Sequence, residues 1–454
     1  MPNPRLAGRA AGRGRHVSSF WSRLFGGKPA AAPAAAAAPQ AAPPTTAAAP
    51  AVAAPTFGAR RPLVGIHGEV AGFEFRLSPS TQRRMQAGAE GPAAAAHAIS
   101  LLAAMRSTLE GGRIALGELP ASLLCRSAVA EQVPDGAWIA VRGAFEPDDS
   151  LAGALTSWRT RGVKLGAALG GPMPPGAGFV LLQAGDSSVD GLLAALDRCA
   201  QEQPLLARVA LDLPGVEAIE QALERGASLA AGRVEPGAGA MAQRRIVQPA
   251  TQRLCQLLND VVADRDTAQI GAALRADSAL SYRLLRFVNS PAVGLAQPVE
   301  SVEQAVMVLG RAELYRWLSV LLTASGSGRK ASRALQEVAM ARARLLELLA
   351  AEREDTPPPA LFTVGLLSML DALLQVPLAE ALAPLQIADA AREAIVDRAG
   401  PWWPLLQLAI AVERHDLAVA EPLAAAHGGL EAVLAKAEQA WAGRPSCRAQ
   451  AAPA

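Results

Sequence analysis

The sequence predicts an α/β barrel followed by an all-helical domain. Three observations predict it. Short apolar runs alternate with helical patterns between residues 58 and 240, almost every segment between residues 245 and 441 has helical periodicity, and residues 31–56 are nearly all Ala and Pro without a charge. We therefore divide the 454 residues into a disordered tail with a linker (1–57), an α/β domain (58–240), a helical domain (245–441) and a disordered tail (442–454).

The N-terminal segment has two interpretations. Residues 1–30 contain six basic residues and no acidic one, and Phe20, Trp21, Leu24 and Phe25 cluster at helical spacing. This cluster is either a short amphipathic hook for an anionic membrane surface or a partner groove, or a chance cluster in a disordered tail. The Ala/Pro linker that follows tethers it at a distance, because repeated prolines prevent a continuous helix.

In the first domain, strands and helices alternate. The pattern predicts strands at 63–66, 73–77, 137–141, 163–169, 179–183 and 208–213, and helices at 93–109, 151–161, 189–202 and 216–225. Such alternation predicts parallel strands joined by crossover helices. The number of units fits an eightfold α/β barrel.

In the second domain, the clearest helices lie at 277–290 and 301–310. Leu280, Leu284, Leu285 and Val288 form a stripe to be buried, and the basic residues between them stay solvated. Proline ends the first helix soon after, since it lacks a backbone donor. Ser301 is placed to cap the next helix and Gly310 to end it. The basic run 342–344 is interpreted as a solvated helix face.

Composition excludes several classes of protein. A net charge of +2 and an aromatic content of 4% give no reason to expect nucleic acid as a partner. Cys125, Cys199, Cys255 and Cys447 are too scattered for a zinc ribbon or a redox pair. Such scattered cysteines do not indicate a disulfide framework, which favours a reducing compartment, and no run of about eighteen non-proline apolar residues indicates a membrane span. We therefore expect a cytoplasmic protein.

Residues 277–310 resemble the HDOD domain, a bacterial all-helical relative of the HD phosphohydrolases. The resemblance rests on the pattern D-x-x-L-S-x-(K/R)-L-L-x-x-V-N-S, followed by S-(I/V)-x-x-A-(I/V)-x-x-L-G. The family-motif positions, to which we assign a structural or an interaction role, are Asp277, Ser281, Arg283, Asn289, Ser290, Ser301 and Gly310.

The same resemblance implies that a metal site has been lost. Where HD enzymes read G-L-L-H-D, this chain has Ser368 and Met369 in the His and Asp places. The adjacent pair His415 and Asp416 is interpreted as a helix end, with Asp416 capping the following helix. We therefore expect no metal in the second domain.

Residues 61–76 are similar to the opening of an EAL domain, the barrel phosphodiesterase that cleaves cyclic di-GMP. In the pattern R-Q-P-I … G-Y-E-x-L-x-R, Glu74 falls at the place of the first metal-binding glutamate. Residues 161–169 and 226–232 look like two later family strands. The resemblance implies a degenerate EAL-type (β/α) barrel over residues 58–240.

The departures from that family concern its metal ligands. Ala168 and Leu169 replace the paired aspartates, and the other ligand places fall on Leu181, Gln183, Pro214 and Ala231. Two-metal phosphodiester hydrolysis needs several hard oxygen ligands that converge on the ions. Glu74 alone cannot supply them, and we interpret it as a strand-end glutamate paired with an arginine. The sequence thus predicts no catalytic residue, no metal site and no cofactor.

The two resemblances together imply a bacterial EAL–HDOD signalling protein. We expect a non-enzymatic regulatory or scaffold protein in cyclic di-GMP-linked or two-component signalling, which contacts other signalling proteins through its HDOD domain. The alternative is a sensor whose EAL-like domain binds cyclic di-GMP without hydrolysing it. The sequence leaves the partner proteins unidentified.

Overall fold

The structure is a computed structural model. It describes residues 60–442 except 77–90, 146–148, 185–187, 238–247, 291–292, 294, 296, 327 and 354. The aromatic cluster of Phe20, Trp21, Leu24 and Phe25 lies outside the described residues, as do residues 1–59 and 443–454 of the two predicted tails.

Eight strands close into a barrel in chain order. They are β1 (Arg60–Gly65), β2 (Val70–Phe75), β3 (Ile114–Pro120), β4 (Trp138–Arg142), β5 (Lys164–Ala168), β6 (Phe179–Gln183), β7 (Ala207–Leu213) and β8 (Leu229–Gly232). The predicted fold class, a barrel followed by a helical domain, is confirmed. β3 and β8 were not among the predicted strands.

The predicted parallel pairing is wrong for β1. This strand runs antiparallel to β2, with Arg61 opposite Glu74, and antiparallel to β8, with Val64 opposite Ala230. The other neighbouring strands are parallel. The physical reason is the connection, because the tight turn at 66–69 can join only antiparallel neighbours. Gly68 in this turn has φ +74°, which glycine adopts without steric cost.

Helices cover the outside of the barrel. They are α1 (Pro92–Glu110), α2 (Ala121–Leu124), α3 (Ser127–Ala130), α4 (Asp149–Thr160), α5 (Val189–Glu202) and α6 (Val216–Glu224), and β5 reaches β6 through residues 169–178 without a helix. The interior of the barrel is apolar. Its buried side chains are Leu63, Leu116, Trp138, Ala140, Phe179, Leu181, Val209, Leu211, Leu229 and Ala231.

The second half of the chain is helical. Its helices are α7 (Pro249–Val262), α8 (Thr267–Arg275), α9 (Ser278–Val288), α10 (Val302–Ala324), α11 (Ser332–Ala350), α12 (Pro358–Leu367), α13 (Leu370–Leu374), α14 (Leu378–Leu382), α15 (Asp389–Arg392), a π-helical turn (Glu393–Asp397), α16 (Trp403–Glu413), α17 (Leu417–Ala424), a 3₁₀ turn (Ala425–His427) and α18 (Leu430–Ala442). α10 is kinked at Gly310, where φ is 72° and ψ is 171°.

The two halves pack against each other through α11 and α18. The amide of Ala334 donates to the carbonyl of Gly68 at 2.7 Å, so the start of α11 lies on the β1–β2 turn. The ring of Trp441 in α18 meets that of Phe73 in β2 edge to face, with centroids 4.9 Å apart. One continuous apolar core therefore includes residues of the barrel and of α11 and α12.

Among the described residues, no single helix has both the length and the apolar content of a membrane span. The segments Leu417–His427 and Leu430–Trp441 meet those criteria only when taken together, and they are bent by 95° where they join.

Candidate functional site

The mouth of the barrel carries a cluster of charged side chains. The parallel strands end at this rim and the antiparallel β1 begins there, so Arg61, Glu74, Arg76 and Asp212 are brought together from three strands and their ends. In parallel α/β barrels this rim is where catalytic groups are placed. This rim is therefore the candidate site for catalysis or ligand binding.

Glu74 is held on both carboxylate oxygens by arginines. Arg61 Nε donates to Oε2 at 2.8 Å, and Arg76 Nε donates to Oε1 at 2.6 Å. The residue is only 5% exposed, so these charged hydrogen bonds replace water around the carboxylate. Glu74 is thus paired with arginine, as we interpreted it from the sequence.

Asp212 completes the network from β7. Its Oδ1 accepts from Arg61 Nη1 at 2.8 Å, and Arg76 Nη2 donates to Oδ1 at 2.9 Å and to Oδ2 at 3.0 Å. Burial opposes ionisation of this carboxyl, but the two guanidinium groups outweigh burial and lower the pKa of Asp212. The cluster thus contains two arginines and two carboxylates whose charges balance.

Asp212 was not predicted as a site residue from the sequence. A carboxylate that interrupts the apolar strand Leu211–Leu213 two residues before Pro214 was the available signal. Its backbone has φ +62°, and the register of β7 with β8 shifts between Ala210 and Leu213. This irregularity directs the Asp212 side chain towards the two arginines. Residue types alone do not predict such a change of backbone conformation.

The other positions compared with the EAL pattern lie on barrel strands or just after them. Ala168 and Gln183 end β5 and β6 and are exposed at the rim, as is Leu169. Leu181 and Ala231 are buried in the barrel interior. Within the described ranges, no three His, Cys, Asp or Glu side chains are grouped in a way that could hold a metal ion.

A second polar cluster surrounds Ser368 in the helical domain, next to Met369. Ser368 follows the end of α12, and Met369 beside it is buried. Arg342 Nη1 donates to Ser368 Oγ at 2.9 Å, while its Nε and Nη2 donate to Glu413 at 3.0 and 2.8 Å. A guanidinium ion thus lies beside Ser368, which the sequence resemblance puts in the place of a histidine.

The interpretation of residues 342–344 as a solvated face is wrong. Arg342 is only 3% exposed and Arg344 is paired with Glu347. The reason is a carboxylate on another helix, since Glu413 of α16 supplies the counter-charge that Arg342 needs in order to be buried. A local charge run does not reveal such a partner.

Near Arg342, the carboxyl of Asp371 titrates unusually. Burial raises its pKa to about 6, and hydrogen bonding by the Ala372 amide and the charge of Arg342 only partly oppose this. Glu235, which follows the last barrel strand, also raises the pKa of Asp371 and is ion-paired with Arg414 of the helical domain. This cluster therefore lies between the two domains.

Four of the HDOD family-motif residues shape local structure. Asp277 caps α9, because its Oδ1 accepts from the amides of Ala279 and Leu280, and Ser281 Oγ donates to the carbonyl of Leu274 at 3.0 Å. Asn289 bridges to Val299 through two hydrogen bonds of 2.8 and 2.7 Å, which close the loop between α9 and α10. Ser301 accepts from the Gln304 amide and caps α10.

The remaining motif residues differ in setting. Ser290 lies at the end of α9, and within the described residues its buried Oγ has no hydrogen-bond partner. Gly310 breaks α10 with a backbone conformation that other residues avoid. Arg283 is exposed on α9. The structure therefore brings Asp277, Ser281 and Arg283 to one helix and does not gather the motif into a catalytic constellation.

His415 and Asp416 lie at the junction of α16 and α17. Asp416 Oδ1 accepts from the Val419 amide at 3.3 Å, which is the capping role that the sequence predicts. His415 has φ +62°, as expected of a residue that reverses the chain between two helices.

Part of the chain is similar to known proteins. Residues 247–397 match the family model of the HDOD domain. The chain is 28% identical over 164 residues to the uncharacterised protein YuxH of Bacillus subtilis (strain 168), which covers 36% of this chain and 40% of that protein. It is 32% identical over 181 residues to the cyclic di-GMP phosphodiesterase CdgJ of Vibrio cholerae serotype O1, which covers 38% of this chain and 40% of that protein.

Among solved structures, the EAL domain protein of Listeria monocytogenes EGD-e is similar to part of the chain, with a TM-score of 0.30, 12% identity and coverage of 39% of this chain and 85% of that one. The HDOD resemblance predicted from the sequence is confirmed by the family model over residues 247–397. The matches to YuxH and CdgJ span only about 40% of the length of either relative.

Proposed function

We propose that this chain is a non-enzymatic regulatory or scaffold protein linked to cyclic di-GMP signalling, and that its HDOD domain contacts other signalling proteins. The link to cyclic di-GMP rests on the HDOD match together with the similarity to EAL domains and to CdgJ. The proposed absence of turnover is supported by the charged side chains at the barrel mouth.

The observation that carries the proposal is the closed charge network at the barrel mouth. Both oxygens of Glu74 accept hydrogen bonds from guanidinium groups, and Asp212 accepts from the same two arginines. A divalent ion would have to displace arginines from a partly desolvated site, against strong charged hydrogen bonds. Hydrolysis of a phosphodiester by two metals needs these oxygens free for the ions.

The second domain offers similar support. The guanidinium of Arg342 contacts Ser368 and Glu413, and a fixed positive charge at this place repels a metal cation. Dense apolar cores support the folds of the barrel and of the helical domain. At both places where the sequence resemblances put metal ligands, the polar side chains hydrogen-bond to one another.

The proposal is tested with purified full-length protein, cyclic di-GMP and either Mg²⁺ or Mn²⁺. We expect no linear dinucleotide above the rate of the metal ions alone, and a Glu74→Gln variant with the same background. Turnover that disappears in Glu74→Gln would overturn the proposal. Calorimetry on the same samples addresses the sensor alternative, in which micromolar binding occurs without cleavage.

A further inference from the structure

A groove in the helical domain lies beside the family motif. It encloses about 500 Å³ between the start of α7, the start of α9, the end of α10 and the end of α13. The side chains that line it are about evenly polar and apolar; they include Thr251, Leu254, Asp277, Leu280, Arg283 and Gln375. A volume in this range accommodates a few amino-acid side chains or one small ligand.

The outer face of α9 extends this groove. Ala279, Tyr282, Arg283 and Arg286 are exposed and follow one another at the i, i+3, i+4, i+7 spacing of a single helical face. Tyr282 is 65% exposed, although a ring of this size is usually half or more buried. Aromatic and arginine side chains are the residue types enriched in protein interfaces.

Two positive charges on this face have no ion-pair partner among the residues that the structure describes. The carboxylate of Asp277 is used by two backbone amides and by Arg253, whose Nη1 lies 2.8 Å from Oδ2. In contrast, no hydrogen bond or ion pair joins Arg283 or Arg286 to any other residue in the described ranges. The groove therefore presents the guanidinium of Arg283, and the exposed helix face beside it adds that of Arg286.

We propose that this groove is a docking site for an acidic peptide segment of a partner protein. A carboxylate of the segment pairs with Arg283, its apolar side chains contact the partly exposed Leu321 and Leu374, and Tyr282 packs at the rim. The inference deepens the proposed scaffold function and rests on it. Charge complementarity favours this occupant, because an acidic segment supplies the counter-charge that Arg283 and Arg286 lack among the described residues.

The composition of the chain disfavours two other occupants. Residues 1–57 carry six basic residues and no acidic one, and residues 443–454 carry Arg444 and Arg448 and no acidic one, so neither tail complements the groove. A nucleic acid binds through several cations interleaved with stacking aromatics, whereas this face has one exposed ring and two free arginines.

The test uses full-length protein and two fluorescein-labelled twelve-residue peptides that share the same leucines. One peptide carries glutamates and the other carries lysines at the remaining positions. We expect fluorescence anisotropy to show at least about tenfold tighter binding of the glutamate peptide by the wild type. Arg283→Glu should lose that preference, while Arg198→Glu, which changes an exposed arginine of α5 in the barrel domain, should keep it.

Equal affinity for both peptides, no binding of either, or an unchanged preference in Arg283→Glu would overturn the docking site. Tighter binding of a labelled single-stranded DNA than of the glutamate peptide would overturn it as well. Cyclic di-GMP turnover measured on the same samples bears on the proposed function alone, because Arg283 lies in the other domain from the barrel mouth. Failure of the docking proposal can therefore be distinguished from failure of the proposed non-enzymatic function.

Discussion

Arg61 and Glu74 face each other across the β1–β2 pair, and the Nε of Arg61 lies 2.8 Å from Oε2 of Glu74. The pairing needs β1 to run antiparallel to β2, since only this direction brings residue 61 to the rim where residue 74 ends. A topological departure from a regular α/β barrel thus places the counter-charge that Glu74 needs. The same arginine reaches Asp212 on β7 and so ties three strands together.

Removal of Arg61 should destabilise the barrel. Arg61→Met leaves the buried Glu74 carboxylate with Arg76 alone, and breaking a buried pair costs about 3 kcal/mol. Arg142→Met is the matched control, because Arg142 and Glu118 form a partly exposed pair that contributes less than about 1 kcal/mol. Urea unfolding measures both free energies. Equal losses in the two variants would contradict a role for the network in stability.

Arg342 and Glu413 should depend on each other. Arg342→Met leaves the Glu413 carboxylate largely buried without its partner, which should cost about 3–5 kcal/mol. The double variant Arg342→Met/Glu413→Met removes both charges and should recover most of the loss, since an apolar pair can replace a buried ion pair at little cost. Denaturant unfolding of the four proteins gives the coupling energy. Simple addition of the two single losses would contradict the pairing.

The strands that the sequence predicts best are those with uninterrupted apolar runs. The strand Phe179–Gln183 has the predicted bounds because four apolar residues in a row indicate a strand buried on both faces. β3 was not predicted, since Gly117, Glu118 and Pro120 interrupt its apolar pattern. In β3 the register with β2 and β4 decides the structure, and local propensity does not.

For polar side chains too, contacts within a few residues can be predicted from the sequence, and contacts between distant segments cannot. Caps such as Asp277 and Ser301 could be predicted because a cap interacts with amides two or three residues away. The pairing of Arg342 with Glu413 could not, because these residues are far apart in sequence and meet only when α11 packs against α16. The charge network at the barrel mouth needs the left-handed backbone of Asp212 as well.

Stability should depend on the titration of Asp371. Burial raises the pKa of its carboxyl from 3.8 to about 6, so the folded state holds this proton more tightly than the unfolded state does. As the pH rises from about 4 to about 6, the unfolded chain loses the proton first and this carboxyl makes folding less favourable. Asp371→Asn should therefore raise the free energy of unfolding above pH 6 and leave it unchanged below pH 4. Stabilisation of equal size at both pH values would contradict the shift.

Gly310 should be required for the kink of α10. Its φ of 72° and ψ of 171° lie in a region nearly restricted to glycine, and a Cβ at this position would meet no atom within 4 Å. Gly310→Ala should thus cost about 1–3 kcal/mol through backbone strain alone. Gly153→Ala, in the regular helix α4 and equally free of contacts, should be neutral or slightly stabilising. An unchanged free energy of unfolding in Gly310→Ala would show that the backbone at the kink relaxes.

Arg329 should hold the two domains together as one cooperative unit. Its guanidinium is almost fully buried between Glu217 and Glu220 of the barrel helix α6, and its Nη1 donates to the carbonyl of Ala372. Arg329→Met leaves two carboxylates facing each other at the domain interface, so like-charge repulsion replaces attraction.

Scanning calorimetry should show one transition for the wild type, because the domains share an apolar core. Arg329→Met should lower its midpoint and separate it into two transitions, as the barrel and the helices unfold independently. Arg225→Met, which removes the exposed pair with Asp197 on the outside of the barrel, should keep a single transition. One unshifted transition in Arg329→Met would mean that apolar packing alone couples the domains.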